Sequence, residues 1–337
     1  MKPSIFRRPA CGAAAVIAAA ALALAGCTAE DDSSAGASNT SAEATTDQTV
    51  TIEDNEGSKE VPVNPVSVVA LDNRSFEILD LWGVQPVAAA RALVPETIPG
   101  IADNEDIVDI GNHREPKLEA IVAAEPQVVI SGQRFSQHNS DIEQLVPDAT
   151  LVDLEPRDGE PLDQEFIRQV EGLGKIFGHE EDAQKMIDDF NAALDRARNA
   201  YNKDVKVMAV NVSGGEIGYV APRVGRTWGP LFDMFGLTPA LEIENGSDDH
   251  QDDDISVEAI AEANPDFMMV LDRDAGVRTE ESAPAQKVLD DSQALKNVAA
   301  IQQDGVYIAP ADTYTNESII TYTEILNGLA DKWEATA

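Results

Sequence analysis

One stretch of the sequence recurs later in the chain with the same order of residue types. Leu118–Arg134 reads LEAIVAAEPQVVISGQR, Val257–Arg273 reads VEAIAEANPDFMMVLDR, and the two align without a gap. Each copy is a helical pattern, then a proline, then an apolar run that ends on an arginine, which predicts a helix, a break and a buried strand. More positions are identical than composition alone would produce: Glu119/Glu258, Ala120/Ala259, Ile121/Ile260, Ala124/Ala263, Pro126/Pro265 and Arg134/Arg273. This duplication predicts two similar lobes, each containing one copy.

Short strand and helix patterns alternate through both halves of the chain. Thr49–Val63 is typical of a hairpin, Ser67–Leu71 of a strand and Ser75–Trp82 of a helix that ends at Gly83. Strands that alternate with helices indicate parallel α/β sheets.

The middle of the chain has a different pattern. Leu162–Val220 contains no proline, and apolar residues recur at helical spacing from Ala183 to Tyr201. We therefore predict an α/β fold with two Rossmann-like lobes, residues 48–161 and 202–337, joined by a connecting helix region at residues 162–201.

The N-terminus is typical of a secreted lipoprotein. Residues 1–26 combine basic residues with a short apolar run, as in a signal peptide, and they lead into LAGC, which resembles a bacterial lipobox ending at Cys27. We expect a lipid on Cys27, a flexible tether at residues 27–47, and a location on the extracytoplasmic face of the cell membrane. The apolar run is too short to predict a transmembrane span.

Charge and cysteine content exclude several classes of protein. The net charge is −37, from 24 basic and 61 acidic residues, and such a surface repels nucleic acid and anionic lipid. The chain has 2 cysteines. Cys11 leaves with the signal peptide and Cys27 carries the lipid, so no disulfide is expected.

Motifs of common enzymes are missing. The sequence has no G-x-S-x-G, no H-E-x-x-H and no P-loop, and GLGKIFG at Gly172–Gly178 lies within a helical pattern instead of after a strand. The 4 histidines are scattered, and the acidic run Asp248–Asp254 is interpreted as a solvated loop. We predict no cofactor and no catalytic activity.

The repeated arginines are predicted to contact a ligand. Arg134 and Arg273 lie three residues or fewer beyond their predicted strands, and open parallel sheets bind ligands beyond the carboxyl ends of strands. The alternative is that each arginine pairs with a local acid, but two matched arginines in so acidic a chain favour ligand contact.

A second group of ligand candidates lies in the segment Gly218–Gly236, which begins with a Gly/Pro-rich loop. Arg223, Arg226 and Trp228 precede a helix there, and arginines beside aromatic rings and a helix N-terminus suit a flat anionic ligand. The alternative is a surface loop with a structural tryptophan.

Several motifs together resemble one known family. With the lipobox, they are GNHREPKLEAI, EPQVVISGQR, LGKIFG, APRVGRTWGPLFDMFG, NPDFMMVLDRD and LNGLADKW. In this order and spacing, the chain from about residue 48 onward resembles the ferric-siderophore-binding lipoproteins of ABC importers, which are class III solute-binding proteins.

The resemblance implies two Rossmann-like lobes, a rigid connecting helix, and three arginines that hold an anionic ferric complex in a shallow cleft. Arg273 matches the family position directly, and Arg134 lies one position later than usual. The third arginine falls in a loop about two residues longer than usual, where Arg226 fits best and Arg223 is the alternative.

The resemblance also implies a histidine and a tyrosine that complete the iron shell when a siderophore leaves coordination sites open. His250 and Tyr314 match these positions. Gln251 and Thr313 replace the family's usual neighbours.

We therefore predict a lipid-anchored, monomeric receptor that captures a ferric siderophore, of an anionic catecholate type, and delivers it to an ABC permease. The first alternative is the same fold binding haem or a corrinoid. From other classes, the alternatives are a motif-poor α/β enzyme and a surface lipoprotein for adhesion.

Overall fold

The computed structural model describes residues 48–244, 246–247, 255–277 and 282–336. The predicted signal peptide, lipidated Cys27, tether and His250 lie outside the described residues.

The N-terminal lobe begins with a hairpin and continues as an α/β unit. Its strands are β1 (Thr49–Asp54), β2 (Gly57–Pro62), β3 (Val68–Ala70), β4 (Ala88–Ala89), β5 (Val108–Asp109), β6 (Gly111–Asn112), β7 (Glu115–Pro116), β8 (Val128–Ser131) and β9 (Thr150–Asp153). Its helices are α1 (Phe76–Leu81), α2 (Pro99–Ala102), α3 (Leu118–Ala123) and α4 (Asn139–Leu145), with 3₁₀ turns at Arg91–Leu93 and Gln133–His138.

Five of these strands form one parallel sheet in the order β5-β4-β3-β8-β9. β1 and β2 pair in the predicted antiparallel hairpin. Because the five strands are parallel, their carboxyl ends share one edge of the sheet, and the loops that follow them are brought together.

Two helices connect this lobe to the next. α5 (Leu162–Phe177) ends at Gly178, whose φ of +68° lies in the left-handed region, and α6 (Glu180–Ala200) follows. α6 has 21 residues, which corresponds to a length of about 30 Å.

The C-terminal lobe follows α6. Its strands are β10 (Lys206–Ser213), β11 (Glu216–Val220), β12 (Thr238–Pro239), β13 (Phe267–Asp272) and β14 (Val306–Ile308). Its helices are α7 (Gly229–Phe235), α8 (Val257–Ala263), α9 (Arg273–Val277), α10 (Ala285–Asp291), α11 (Ala299–Gln302), α12 (Thr313–Asn316) and α13 (Ile319–Thr336), with a 3₁₀ turn at Leu295–Asn297.

The second sheet has the order β11-β10-β13-β14, and β12 also pairs with β10. β10, β13 and β14 are parallel, whereas β11 runs antiparallel to β10. Alternate residues of β10 face opposite sides, so Val207 and Ala209 join one apolar cluster while Met208 and Val210 join another. Both faces of this sheet are therefore covered.

The duplicated segment folds in the same way twice. α3 leads into β8 and α8 leads into β13, and each strand lies second from an edge of its sheet. The residue before each proline is left-handed, with φ of 45° at Glu125 and 46° at Asn264. The predicted helix, break and strand are confirmed in both lobes.

The final helix, α13, packs the C-terminal lobe against α6. α13 packs along α6, and the Trp333 ring lies 5.1 Å from that of Tyr201, 5.9 Å from Phe235 and 5.6 Å from Phe267. Among the described residues, no helix is both long and apolar enough to cross a bilayer. Two α/β lobes joined by a helical region confirm the predicted fold class.

Candidate functional site

Loops that follow strands of both sheets meet at Tyr314. Arg134 follows β8 in the N-terminal lobe, Arg273 follows β13, and Tyr314 lies in α12, after β14. Arg226 comes from the loop between β11 and α7. The structure thus brings together four of the residues that the sequence analysis selected.

Three guanidinium groups lie over the Tyr314 ring. The Cζ atoms of Arg134, Arg226 and Arg273 are 5.7, 4.5 and 5.0 Å from the ring centroid, respectively. Nη2 of Arg134 also lies 3.4 Å from the hydroxyl oxygen of Tyr314, to which it donates. Each guanidinium group is close enough to be attracted to the electron-rich face of the ring.

Arg226 is held by a buried carboxylate that the sequence analysis missed. Its Nη2 is 2.6 Å from Oε2 of Glu317, and its Nε is 3.2 Å from both carboxylate oxygens. Thr227 donates a further hydrogen bond to Glu317 at 2.5 Å, and Nη2 of Arg226 donates to the carbonyl oxygen of Tyr314 at 3.0 Å. Glu317 lies three residues after Tyr314, but nothing in the local sequence distinguishes it from the many exposed acids.

The Glu317–Arg226 pair stabilises two buried charges. Burial acts to raise the pKa of Glu317, but the positive charges of Arg226 and Arg74 outweigh it and lower that pKa to about 2. Burial likewise acts to lower the pKa of Arg226, and Glu317 reverses the effect so that the pKa is raised. Removing one partner would leave the other charge buried and uncompensated, which costs about 3–5 kcal/mol.

Arg134 and Arg273 are in a different electrostatic state. Neither lies within salt-bridge distance of a carboxylate on any residue that the structure describes. Arg273 donates to the Ser213 hydroxyl at 3.1 Å, while its buried Nε has no hydrogen-bond partner within the described part of the chain. Burial and the neighbouring charge of Arg226 lower the pKa of Arg134. An anion placed beside Arg134 and Arg273 would compensate the electrostatic repulsion among the guanidinium groups.

The arginines also change the acidity of Tyr314, which is 3% exposed. Burial acts to raise the pKa of its hydroxyl. A hydrogen bond from Arg273 and the charges of Arg226 and Arg134 outweigh burial, so the pKa is lowered.

Arg74 is a fourth cation at this site, and nothing in its local sequence distinguishes it from other arginines. Its Nη2 is 3.7 Å from Glu317, and its Nη1 is 4.0 Å from Glu155. It follows β3 and so reaches the site from the carboxyl edge of the N-terminal sheet.

The structure distinguishes between the two arginines of the long loop. Arg223 is half exposed and pairs with Glu242 at 2.8 Å and Asp233 at 3.2 Å. It is therefore held at the surface by acids, whereas Arg226 lies over Tyr314. This geometry favours Arg226 over Arg223 as the third arginine beside Tyr314.

Trp228, which was predicted to contact the ligand, lies in the core. Its side chain is 0% exposed, and its ring packs edge-on against Tyr307 with centroids 6.3 Å apart. The residue directly precedes α7 and belongs to the same buried apolar cluster as Leu231 and Phe232 of that helix. Its sequence neighbours gave no information about burial.

No group of three or more histidine, cysteine, aspartate or glutamate side chains is arranged to hold a metal ion in the described part of the chain.

Several known proteins are similar to this chain over most of its length. A family profile described as periplasmic binding protein matches residues 68–313. The petrobactin-binding protein YclQ of Bacillus subtilis is 27% identical over 288 residues, which cover 83% of this chain and 86% of YclQ. The ferric-anguibactin-binding protein FatB of Vibrio anguillarum is 27% identical over 282 residues, which cover 80% and 85% of the two chains.

Solved structures show the same fold. The siderophore-binding protein BauB, bound to a complex of two acinetobactin molecules and ferric iron, superposes with a TM-score of 0.74 at 20% identity, covering 85% of this chain and 99% of BauB. The crystal structure of YclQ gives a TM-score of 0.71 at 21% identity, with 85% and 99% coverage. These relatives are binding proteins, which confirms the prediction of a solute-binding protein instead of an enzyme.

The arrangement predicts an unusually acidic tyrosine. The chain has 5 tyrosines, and burial raises the pKa values of Tyr307 and Tyr322. In a spectrophotometric titration of the unliganded protein, we expect one phenol to ionise below the ordinary pKa of about 10. Tyr314→Phe should remove this step, and Arg273→Gln should move it to higher pH. A low-pH step that persists in Tyr314→Phe would contradict the described electrostatics.

Proposed function

Since the chain belongs to the periplasmic binding protein family, we propose that it binds a ferric siderophore between its two lobes. The observation that carries this proposal is the convergence of three guanidinium groups, from both lobes, on Tyr314. Relatives named for petrobactin and ferric anguibactin support a chelated ferric ion as the ligand.

The charges around Tyr314 favour an anionic complex. Glu317 compensates Arg226, so Arg134 and Arg273 are the cations that remain to bind a ligand. A tris-catecholate ferric complex is strongly anionic, and a guanidinium group stays charged and donates in a fixed planar fork. Ferric complexes of this type are therefore the ligand class that this site suits best.

A protein with a net charge of −37 can bind an anionic ligand, because most of its negative charges lie too far from the site to repel the ligand strongly. Surface charges beyond the Debye length of about 8 Å are largely screened at physiological ionic strength. The arginines lie beside the bound molecule, so their local field determines the affinity.

The delivery step belongs to the same proposal. The LAGC sequence ending at Cys27 supports a lipid anchor on the extracytoplasmic face of the cell membrane. From there, the monomeric protein delivers its ligand to the permease of an ABC importer. Tyr314, and His250 outside the described residues, are proposed to complete the iron shell of siderophores that leave coordination sites open.

A ligand panel tests the proposal. The mature chain with Cys27→Ser, which cannot carry lipid, is titrated by calorimetry with a tris-catecholate ferric complex, ferric petrobactin, ferric anguibactin, ferric citrate, haem and cobalamin. We expect at least one anionic ferric chelate to bind with a Kd below about 10 μM, or about −7 kcal/mol. Binding of haem or cobalamin without binding of any ferric chelate would contradict the proposal.

Arginine variants test the site itself. Arg134→Gln and Arg273→Gln should each weaken binding of the ferric chelate by about 1.5–3 kcal/mol, which is the contribution of a charged hydrogen bond. This loss corresponds to an increase of about 10- to 150-fold in Kd. Calorimetry measures the affinity, and thermal unfolding checks that both variants fold.

Arg223→Gln is the matched control, because this arginine pairs with surface acids. It should leave the affinity unchanged. An equal loss in all three variants would indicate a nonspecific effect of charge instead of contacts at Tyr314.

A further inference from the structure

We propose that Asn73 and Glu77 of the N-terminal lobe are positioning residues for Tyr314, because they hold the segment Asp312–Ser318 across the boundary between the lobes. This inference rests on the proposed function, since it assigns the residues that prepare the same site. We call the contacts of Asn73, Glu77 and Thr97 with Asp312–Ser318 the interlobe latch.

Asn73 forms the first part of the interlobe latch. Its Nδ2 donates to the backbone carbonyl of Thr315 at 2.8 Å and to that of Leu93 at 3.1 Å. The side chain is 4% exposed, so water does not readily replace these bonds. Asn73 thereby joins the residue next to Tyr314 to the N-terminal lobe.

Glu77 forms the second part. Its Oε2 accepts hydrogen bonds from Nδ2 of Asn316 at 2.9 Å and from the Ser318 hydroxyl at 3.1 Å. Asn316 and Ser318 are 2% and 0% exposed. Among the described residues, no cation lies within salt-bridge distance of Glu77, so these two donors are what stabilises its carboxylate.

Thr97 forms the third part, at the surface. Its hydroxyl donates to Oδ2 of Asp312 at 2.5 Å. The interlobe latch therefore contacts both ends of the short helix α12, and Tyr314 lies between these contacts.

The C-terminal lobe limits movement of Tyr314 from the other side. Thr315 donates through its hydroxyl to the carbonyl of Gly276 in α9 at 3.3 Å. A Cβ atom on Gly276 would lie 2.9 Å from the Cβ of Tyr314, so α9 packs directly against this residue. The tyrosine is thus fixed between α9 and the interlobe latch.

The same segment carries Glu317, which anchors Arg226. A displacement of the segment would move the ring on which the arginines converge and the carboxylate that holds one of them. The interlobe latch therefore couples the relative position of the lobes to the geometry of the ligand site. When only a fraction of molecules has the competent geometry, the apparent affinity falls by that fraction.

Substitutions at Glu77 separate positioning from simple stability. Glu77→Met removes the acceptor at similar length, whereas Glu77→Gln keeps an acceptor oxygen for Asn316 and Ser318. In the unliganded protein, Glu77→Met should speed hydrogen exchange of the backbone amides of the segment Asp312–Ser318, because the segment loses its hydrogen bonds to Glu77. It should also weaken ferric chelate binding about tenfold. Glu77→Gln should restore both properties. Glu105→Met, the same replacement at an exposed acid of the same lobe, should change neither.

Asn73→Ala provides a second, smaller perturbation if Glu77→Met does not fold. It should speed hydrogen exchange of the same amides. The inference is overturned if folded Glu77→Met or Asn73→Ala leaves the hydrogen exchange of Asp312–Ser318 unchanged, or if Glu77→Gln behaves like Glu77→Met. Because hydrogen exchange is measured without ligand, its result is independent of whether a ferric chelate binds the parent protein.

Discussion

The site depends on one buried ion pair, between Glu317 and Arg226. Several guanidinium groups cannot gather around a buried ring without a compensating negative charge, because like charges repel strongly away from water. Glu317 supplies that charge within the fold and fixes Arg226 to the carbonyl of Tyr314. Arg134 and Arg273 are left without a carboxylate partner among the described residues. One part of the cluster is therefore structural, and the other is available to an anion.

Parallel sheets explain why these residues meet. The carboxyl ends of parallel strands lie at the same end of a sheet. β8 and β13 therefore each direct the following arginine to the carboxyl end of their own sheet. The duplicated segment gives each lobe the same strand position and the same left-handed residue before its proline. Scaffold residues such as Ile121 and Ile260 are buried in both copies. The duplicated segment therefore places an arginine, Arg134 or Arg273, at the same position after a strand in each lobe.

Much of this arrangement is predictable from the sequence, and the exceptions have physical causes. Prolines mark where the helices end and apolar runs mark the strands that follow, so the positions of Arg134 and Arg273 after their strands were identifiable without coordinates. The burial of Trp228 was not predictable, because burial of an indole depends on distant partners such as Tyr307. Glu317 and Glu77 were missed for a similar reason, since their partners lie far away in sequence and an acid in so acidic a chain has no distinctive local pattern. The choice between Arg223 and Arg226 required knowing which of them the surface acids hold.

The most direct test of this account is a crystal structure of the protein with a bound ferric chelate, with the iron located by its anomalous scattering. We expect iron between the two lobes, and chelate oxygen atoms that accept hydrogen bonds from Arg134 and Arg273 beside Tyr314. Iron located away from Tyr314, or a chelate that contacts neither arginine, would contradict the central claim.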